Sequence, residues 1–427
     1  MRRLRAVGHT AYFAGGCVRD MLRGVRPNDY DVATSATPEQ VHSLFPRSFE
    51  VGARFGVMLV VTDTAQYEVA TFRSDDAYED GRRPVSVTFS TPEADARRRD
   101  FTVNGLFYDP IRERVLDYVG GRADIERRLI RCIGDPAARF GEDKLRLLRA
   151  VRFASTLGYE IEPATFAAIR QFAPDIKVVS AERIRDELIK IFTGPNAGRG
   201  LRLLDATGLL AVVLPEVAAM KGVEQPPEFH PEGDVFAHTC RMMDALREPS
   251  LTLAFGTLLH DVGKPPTFQR APDRIRFNEH DVVGARLTET ILRRLRFPND
   301  LIERVAACVE NHMRLRHAMQ MRKSKLKRLL VRPTFPDELE MHRLDCMASH
   351  ADLTNYEFLK KAQAEIPPEA AAPKPLINGN DLAAMGMAPG PAMGKLLRQA
   401  RELQLDEKLR SRDEALAWAR KRLAGGA

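Results

Sequence analysis

Cysteine is scarce in this sequence: five residues among 427, at positions 17, 132, 240, 308 and 346. Their number is odd and no two form a C-x-x-C pair, which excludes a disulfide scaffold and argues against thiolate-bound zinc. Long apolar runs are absent too, so no segment reads as a membrane span. The basic start MRRLRAVGHTAYFAGG is followed by neither an extended apolar core nor an A-x-A-like cleavage site. A cytoplasmic enzyme with no membrane partner is the expectation. There is no internal repeat and no strong excess of one charge. The net charge of +7, with a pI near 9.2, permits a polyanionic partner without requiring one. With 44% hydrophobic and 29% charged residues the composition is that of a folded protein. Its length calls for about two to four domains.

Residues 10–120 mix strand-like runs with helices. FGVMLVVTD (55–63), YEVATFR (67–73) and VSVTFST (85–91) read as strands, and the polar segment 74–84 as a loop. Beyond about residue 122 helical periodicity dominates, as in DKLRLLRAVRFASTLG, SAERIRDELIKIF and AGRGLRLLDATGLLAVVLPEV. A Pro-rich stretch, EQPPEFHPEGD (224–234), precedes a helical, histidine-bearing region. A second, IPPEAAAPKPL (366–376), opens a charged helical tail. The expected layout is four parts: an α+β head (1–122), a helical neck (123–223), an all-α body (224–365) and a helical tail (366–427).

The stretch AGGCVRDMLRGVRPNDYDVAT (14–34) holds the sharpest chemical signal. On an extended strand Asp29 and Asp31 project together while Tyr30 and Val32 point the other way. Such a carboxylate pair repels itself unless a cation sits between, and oxygen ligands suit magnesium. Gly15 and Gly16 precede what reads as a helix start, where backbone N–H groups favour phosphate and glycine allows close approach. Glu68, on YEVATFR, is the expected third carboxylate. Two divalent ions held this way can activate a hydroxyl and stabilise departing pyrophosphate.

GGCVRD with NDYDVAT resembles the nucleotidyltransferase signature of the bacterial class II tRNA CCA-adding enzyme and poly(A) polymerase family. The match continues in order through DGRRP (80–84), RRRDFTVNGL (97–106), DYVGGRADIERRLIR (117–131), FGEDKLRLLRAVRFAS (140–155) and SAERIRDELIKI (180–191). The resemblance implies a small nucleotidyltransferase sheet flanked by helices, with Asp29 and Asp31 as Mg2+ ligands. It implies CTP and ATP as substrates and the tRNA 3′ end as partner. Gly15, Gly16, Arg19, Arg98, Arg99, Asp100, Asn104, Asp143, Arg146, Arg149 and Arg183 would contact the nucleotide. Arg98 and Arg99 suit a triphosphate, and Asp100 and Asn104 a ribose hydroxyl.

Substrate choice has a physical rationale in FGEDKLRLLRA. Read as one helix, it puts Asp143 and Arg146 on a shared face, with Arg149 a turn further. Cytosine and adenine both present an exocyclic amine beside a ring-nitrogen acceptor. A carboxylate accepts from the amine while a guanidinium donates to the nitrogen. Uracil and guanine put a carbonyl where the amine belongs. The competing reading is a plain i,i+3 ion pair. Arg183 and Glu187, four apart, fit either nucleotide contact or bracing of the neck.

The third region carries His238, His260, Asp261, His280, His312 and Asp345 over several helices, and imidazole with carboxylate suits a transition metal. The pattern resembles the HD phosphohydrolase superfamily, an all-α fold. His238, His260, Asp261 and Asp345 would be its core metal set, and His280 and His312 ligands of a second metal. Mn2+, Ni2+ or Fe2+ is the expected kind of occupant. The resemblance allows phosphatase or 2′,3′-cyclic phosphodiesterase activity as well as a domain kept only for packing. The tail, LINGNDL followed by PGPAMG, resembles the family's tail, where Lys395, Arg398 and Arg401 would steer tRNA or cap the body.

The expected activity is template-independent addition of C and A to tRNA, releasing pyrophosphate. A poly(A) polymerase or an A-adding enzyme of the same family is the nearest alternative. From another class, the chain would be a metal-dependent phosphohydrolase whose head senses nucleotide. A monomer and a homodimer are equally compatible with the sequence.

Overall fold

Side-chain alternation organises the head from its first strand. On β1 (Ala11–Ala14), Ala11 and Phe13 join one apolar cluster and Tyr12 and Ala14 another, as a period of two demands. The computed structural model describes residues 1–52, 56–75, 87–226, 233–367 and 371–424. The DGRRP motif lies outside them. Further strands are β2 (Val32–Thr34), β3 (Ser48–Gly52), β4 (Val57–Val61), β5 (Gln66–Thr71), β6 (Arg73–Asp75), β7 (Val87–Phe89), β8 (Leu106–Asp109) and β9 (Arg114–Asp117). Seven of them form one sheet in the order β3-β4-β5-β2-β1-β8-β9, while β6 and β7 pair separately. The described part of VSVTFST is thus a strand outside the main sheet.

Within that sheet β2 and β5 run parallel, with Val32 opposite Val69. One face packs Leu4, Ala11, Val32, Val41, Met58, Val60 and Val69 together. The other packs Ala14, Ala33, Phe72, Ala96 and Phe107. Because Val32 and Val69 face the first cluster, the residues just before them, Asp31 and Glu68, fall on the second face. The helix Gly16–Leu22 follows β1 directly, and the helix Pro92–Arg97 supplies Ala96 to that same face.

The helical segment read as a neck belongs to the same compact unit as the head, which comprises residues 1–219, 246–248 and 291–297. Its helices Leu145–Leu157, Ala181–Phe192 and Ala197–Ala206 pack on one another. The buried side of the first includes Leu147, Leu148, Ala150, Val151 and Ala154.

A second unit comprises residues 220–245, 249–290 and 298–427. At its centre the helix Leu251–Leu259 (LTLAFGTLL) is apolar on all sides and buried from Thr252 onward, as a core helix must be. The helices Val235–Ala245, Asn299–Asn311 and Phe335–Ala348 pack around it. The tail helices Gly379–Ala383, Pro391–Leu405 and Arg412–Ala424 share an apolar cluster of Leu382, Met393, Leu396, Ala400, Ala415 and Ala419. Among the described residues no helix is long and apolar enough to cross a membrane.

One glycine fixes the geometry of this unit. A Cβ on Gly263 would lie 2.1 Å from the His280 carbonyl oxygen and 2.6 Å from the Gly284 nitrogen. Gly263→Ala is therefore expected to lower the thermal unfolding midpoint, at a cost of about 1–3 kcal/mol. Gly141→Ala, with no neighbouring atom within 4 Å, should not. Calorimetry of the two variants compares them directly.

Candidate active sites: a carboxylate–arginine cleft and a histidine cluster

A cleft of about 550 Å³ in the first unit is lined by Gly15, Gly16, Arg19, Asp29, Asp31, Arg98, Arg99, Asp100, Asn104, Asp143, Arg146, Arg149 and Arg183. Residues from four separated motifs thus meet at one place. Strand β2 begins only at Val32, so Asp29 and Asp31 are not both strand residues as expected. Asp31 extends the ladder by one step, its carbonyl accepting from Ala14 N–H at 3.0 Å, and Asp29 lies in the bend ahead.

Burial first, and then the neighbouring charges of Asp29 and Glu68, raise the Asp31 carboxyl to about 6 against the pull of Arg99. Glu68 does not line the cleft, but it bears on Asp31 from β5 across the parallel register. Three carboxylates gathered this way are short of positive charge. Asp29 and Asp31 both line the cleft, and a pair of carboxylate oxygens fits a hard divalent cation.

The arginines are held by carboxylates of their own. Asp95, 1% exposed, accepts from Arg98 at 2.6 Å and Arg99 at 3.0 Å. Burial would raise its carboxyl, but Arg99 and Arg98 outweigh that and keep it below the usual range. Arg99 passes so near Gly15 that a Cβ there would sit 2.9 Å from its Nη1, and Gly15 has φ 72°. Only glycine suits that position. Its own N–H donates to the Leu106 carbonyl at 3.0 Å, so Gly15 contributes space, not the phosphate donor expected of it.

Asp100 and Asn104 join a buried chain. Asp100 accepts from Arg149 at 2.6 Å and from Asn104 Nδ2 at 3.2 Å, and Asn104 Oδ1 accepts from Arg19 at 2.8 Å. Burial opposes ionisation of Asp100, yet the Arg149 guanidinium brings its carboxyl down to about 2.

Asp143 corrects the helical expectation. It has extended backbone, φ −143° and ψ 109°, between the helices Pro136–Glu142 and Leu145–Leu157. It therefore stands ahead of the helix that carries Arg146, whose N–H donates to the Asp143 carbonyl at 3.1 Å. Asp143 Oδ1 accepts from Leu145 N–H at 3.0 Å and Oδ2 from Arg183 at 2.8 Å. Each oxygen retains a second lone pair. Arg146 is anchored by a short contact to Glu142, by the Arg139 carbonyl at 3.0 Å and by the Arg98 carbonyl at 3.3 Å. Glu187 lies 2.8 Å from Arg152 and Arg183 2.8 Å from Asp143, so both tie the helix Ala181–Phe192 to the neighbouring neck segment, as the bracing expectation has it, while Arg183 also lines the cleft. Sequence reasoning missed Asp95 and Glu142. The spacing of each to its arginines, three or four residues along the chain, was the available signal.

In the second unit the six His and Asp residues converge as two sets: His238, His260 and Asp345, and Asp261, His280 and His312. The expected core set is thus divided, with Asp261 standing between. Its Oδ2 lies 3.1 Å from His260 Nε2, and its Oδ1 lies 3.7 and 3.8 Å from His280 and His312 Nε2. His238 Nε2 is 3.1 Å from Asp345. The Nδ1 atoms of His260, His280 and His312 each contact a carbonyl three residues earlier, at 2.9, 2.8 and 2.6 Å. Donation there leaves each Nε2 as a lone pair. Burial, then the neighbouring His280, lowers His312 to about 4. Two unprotonated Nε2 atoms 3.3 Å apart cannot bond each other, which fits a site built for a cation.

Lys395 and Arg398 are exposed on the helix Pro391–Leu405. Arg401 on that helix is half-buried and donates to Gln404 at 2.9 Å. These three belong to the second unit and do not line the cleft.

Residues 11–131 match the family model for the poly A polymerase head domain, residues 158–221 one described as "Probable RNA and SrmB- binding site of polymerase A", and residues 234–356 the HD domain. The chain is 35% identical over 438 residues to the A-adding tRNA nucleotidyltransferase of Deinococcus radiodurans, covering 96% of this chain and 95% of that protein. It is 48% identical over 220 residues to the CCA-adding enzyme of Geobacillus kaustophilus, where the match covers 51% of this chain and 54% of that enzyme. The Bacillus stearothermophilus CCA-adding enzyme in complex with CTP superposes with a TM-score of 0.79 at 30% identity, over 99% of this chain and 96% of that one. The chain belongs to the bacterial tRNA nucleotidyltransferase and poly(A) polymerase family.

The raised Asp31 carboxyl gives a pH-dependent stability with a definite sign. Between pH 4 and 6 the folded chain keeps a proton that the unfolded chain, with an ordinary value of 3.8, has already released. The contribution of Asp31 to stability in EDTA therefore falls as pH rises through that window. Asp31→Asn removes the penalty. Its thermal midpoint in EDTA should exceed that of the wild type at pH 7, with the difference shrinking toward pH 4.

Proposed function

We propose that this protein adds C and A nucleotides to the 3′ end of tRNA without a nucleic-acid template, releasing pyrophosphate. The observation that carries the reading is the joint lining of one cleft by Asp29, Asp31, the braced arginines and Asp143. Asp29 and Asp31, with Glu68 behind them, would hold the divalent cation, Mg2+ in this proposal. When bound, that ion supplies charge stabilisation for the attacking and departing oxygens.

The remaining work falls to this chain's own residues. Arg98 and Arg99, fixed by Asp95, present guanidinium groups to a triphosphate. Gly15 leaves the space in which Arg99 approaches. The Arg149–Asp100–Asn104–Arg19 chain sets the height of the sugar, with Asn104 and Asp100 nearest a ribose hydroxyl. Asp143 accepts from the exocyclic amine of cytosine or adenine through its unused lone pairs, while Arg146 and Arg183 donate beside it. A uracil or guanine carbonyl in that position would face Asp143 with no proton between them, a mismatch costing about 1–3 kcal/mol or more.

A-only addition is the second reading, because one relative, matched over 96% of this chain and 95% of its own, is an A-adding enzyme. For the second unit we read the six-residue cluster as a phosphohydrolase centre acting on phosphate esters, 2′,3′-cyclic phosphates included, with a transition metal of the Mn2+, Ni2+ or Fe2+ type. The histidine donor set with its fixed Nδ1 contacts supports that reading.

Transcribed tRNA lacking one, two or three terminal nucleotides, incubated with CTP, ATP or both, tests the primary reading. Growth to CCA from each substrate is expected. A single A added only to tRNA ending in CC would favour the second reading, and an indefinite A tail would overturn both. Asp29→Ala should abolish extension and spare hydrolysis of 2′,3′-cyclic AMP, and His260→Ala should do the reverse. Asp143→Ala should lower kcat/KM for CTP and ATP by roughly 100-fold and narrow the preference over UTP.

A further inference from the structure

The histidine cluster opens into a cleft of about 390 Å³ lined by Asp261, His280, His312 and Asp345 together with Lys264, Arg274, Arg276 and Arg316. Its charges are arranged unequally. The two carboxylates are turned inward: Asp261 pairs with Lys264 at 2.7 Å and has His260 Nε2 at 3.1 Å, and Asp345 has His238 Nε2 at 3.1 Å. The arginines are not. Arg316 follows His312 on the 3-10 segment His312–Gln320, is half-buried, and pairs with no carboxylate among the described residues. Its charge reaches His342 and Cys346, which flank Asp345 on the helix Phe335–Ala348. A guanidinium partly withdrawn from water without a counter-ion is costly, and its fork matches two phosphoryl oxygens. Arg276, on the strand Ile275–Phe277, pairs only with Asp273 at 2.7 Å, both side chains being 42% or more exposed. Such a pair contributes little and exchanges readily for a stronger anion.

We propose that Arg316, with Arg276, forms the phosphate-binding arm of this cleft and takes the non-bridging oxygens of a phosphate ester presented to the histidine cluster. This rests on reading the cluster as a phosphohydrolase centre. It goes further in naming the side chains that select an anionic phosphoryl group, none of which belongs to the ligand set.

Inorganic phosphate titrated into the full metal-free chain, followed at the ring signals of His280 and His312, tests the arm without hydrolysis. Arg316→Ala should weaken phosphate binding by roughly ten- to a hundredfold, as loss of a charge-assisted hydrogen bond predicts. Arg316→Lys should recover part of it, with the unfolding midpoint unchanged in both, and Arg276→Ala should give a smaller loss. In parallel, Mn2+-loaded protein is assayed on 2′,3′-cyclic AMP and 3′-AMP, which distinguishes a cyclic diester from a monoester as the source of the phosphoryl group. There Arg316→Ala should raise KM more than it lowers kcat. Phosphate binding and KM unaltered in Arg316→Ala would overturn the proposal while leaving the hydrolase reading intact. Arg316-dependent phosphate binding with neither ester cleaved would sustain the arm and end the hydrolase reading.

Discussion

The head depends on one unfavourable interaction: Asp29, Asp31 and Glu68 placed within reach of one another's charge. Parallel pairing of β2 with β5 makes this unavoidable, because matching Val32 to Val69 brings the residues before them side by side. The apolar cluster that Val32 and Val69 enter fixes that register, and a slip of one residue would turn both valines to the wrong face. Hydrophobic packing on one side of the sheet therefore holds a concentration of negative charge on the other. Burial first, and then that charge, raise the protonation of Asp31, and a bound cation is the natural resolution.

Around that charge the arginines are immobilised before any nucleotide arrives. Asp95, Asp100 and Glu142 lie outside the carboxylate trio, and each fixes one or two guanidinium groups. Arginine carries considerable rotamer entropy, and a side chain already locked loses less on binding. The Arg146 contact to the Arg98 carbonyl links the residues proposed to read the base to the segment proposed to hold the triphosphate. A misplaced base would then be felt at the phosphates through a rigid connection a few residues long.

Much of this was legible in the sequence. The helices 145–157 and 181–192, strands β4 and β5, the glycine pair and the six-residue cluster were all read from pattern or resemblance. What failed did so for local reasons. Asp143 reads as helical by periodicity, but its side chain caps Leu145 N–H and its backbone stays extended, the ordinary competition of Asp with helix geometry. Gly15 looked like a phosphate donor, yet a strand neighbour takes its N–H, which no sequence pattern reveals. The role of Asp95 depends on three residues of one helix end being folded onto a sheet, and spacing alone offers i,i+3 and i,i+4 pairs without saying which are buried.

In the functions proposed for them, the two clefts would handle anionic phosphoryl groups by opposite arrangements of charge. In the head the carboxylates are left uncompensated and the arginines are restrained, so a cation and a triphosphate complete each other there. In the histidine cluster Asp261 is buried and paired with Lys264, with imidazoles set round both carboxylates, so in our proposal the binding of an anion falls to Arg276 and Arg316. A site that keeps its negative charge exposed selects for a metal that arrives with its substrate. One that buries that charge among imidazoles selects for a metal that stays and leaves substrate recognition to the rim. On that argument the difference in ligand chemistry between the two sites, oxygen alone against nitrogen with oxygen, follows from where each places its unpaired charge.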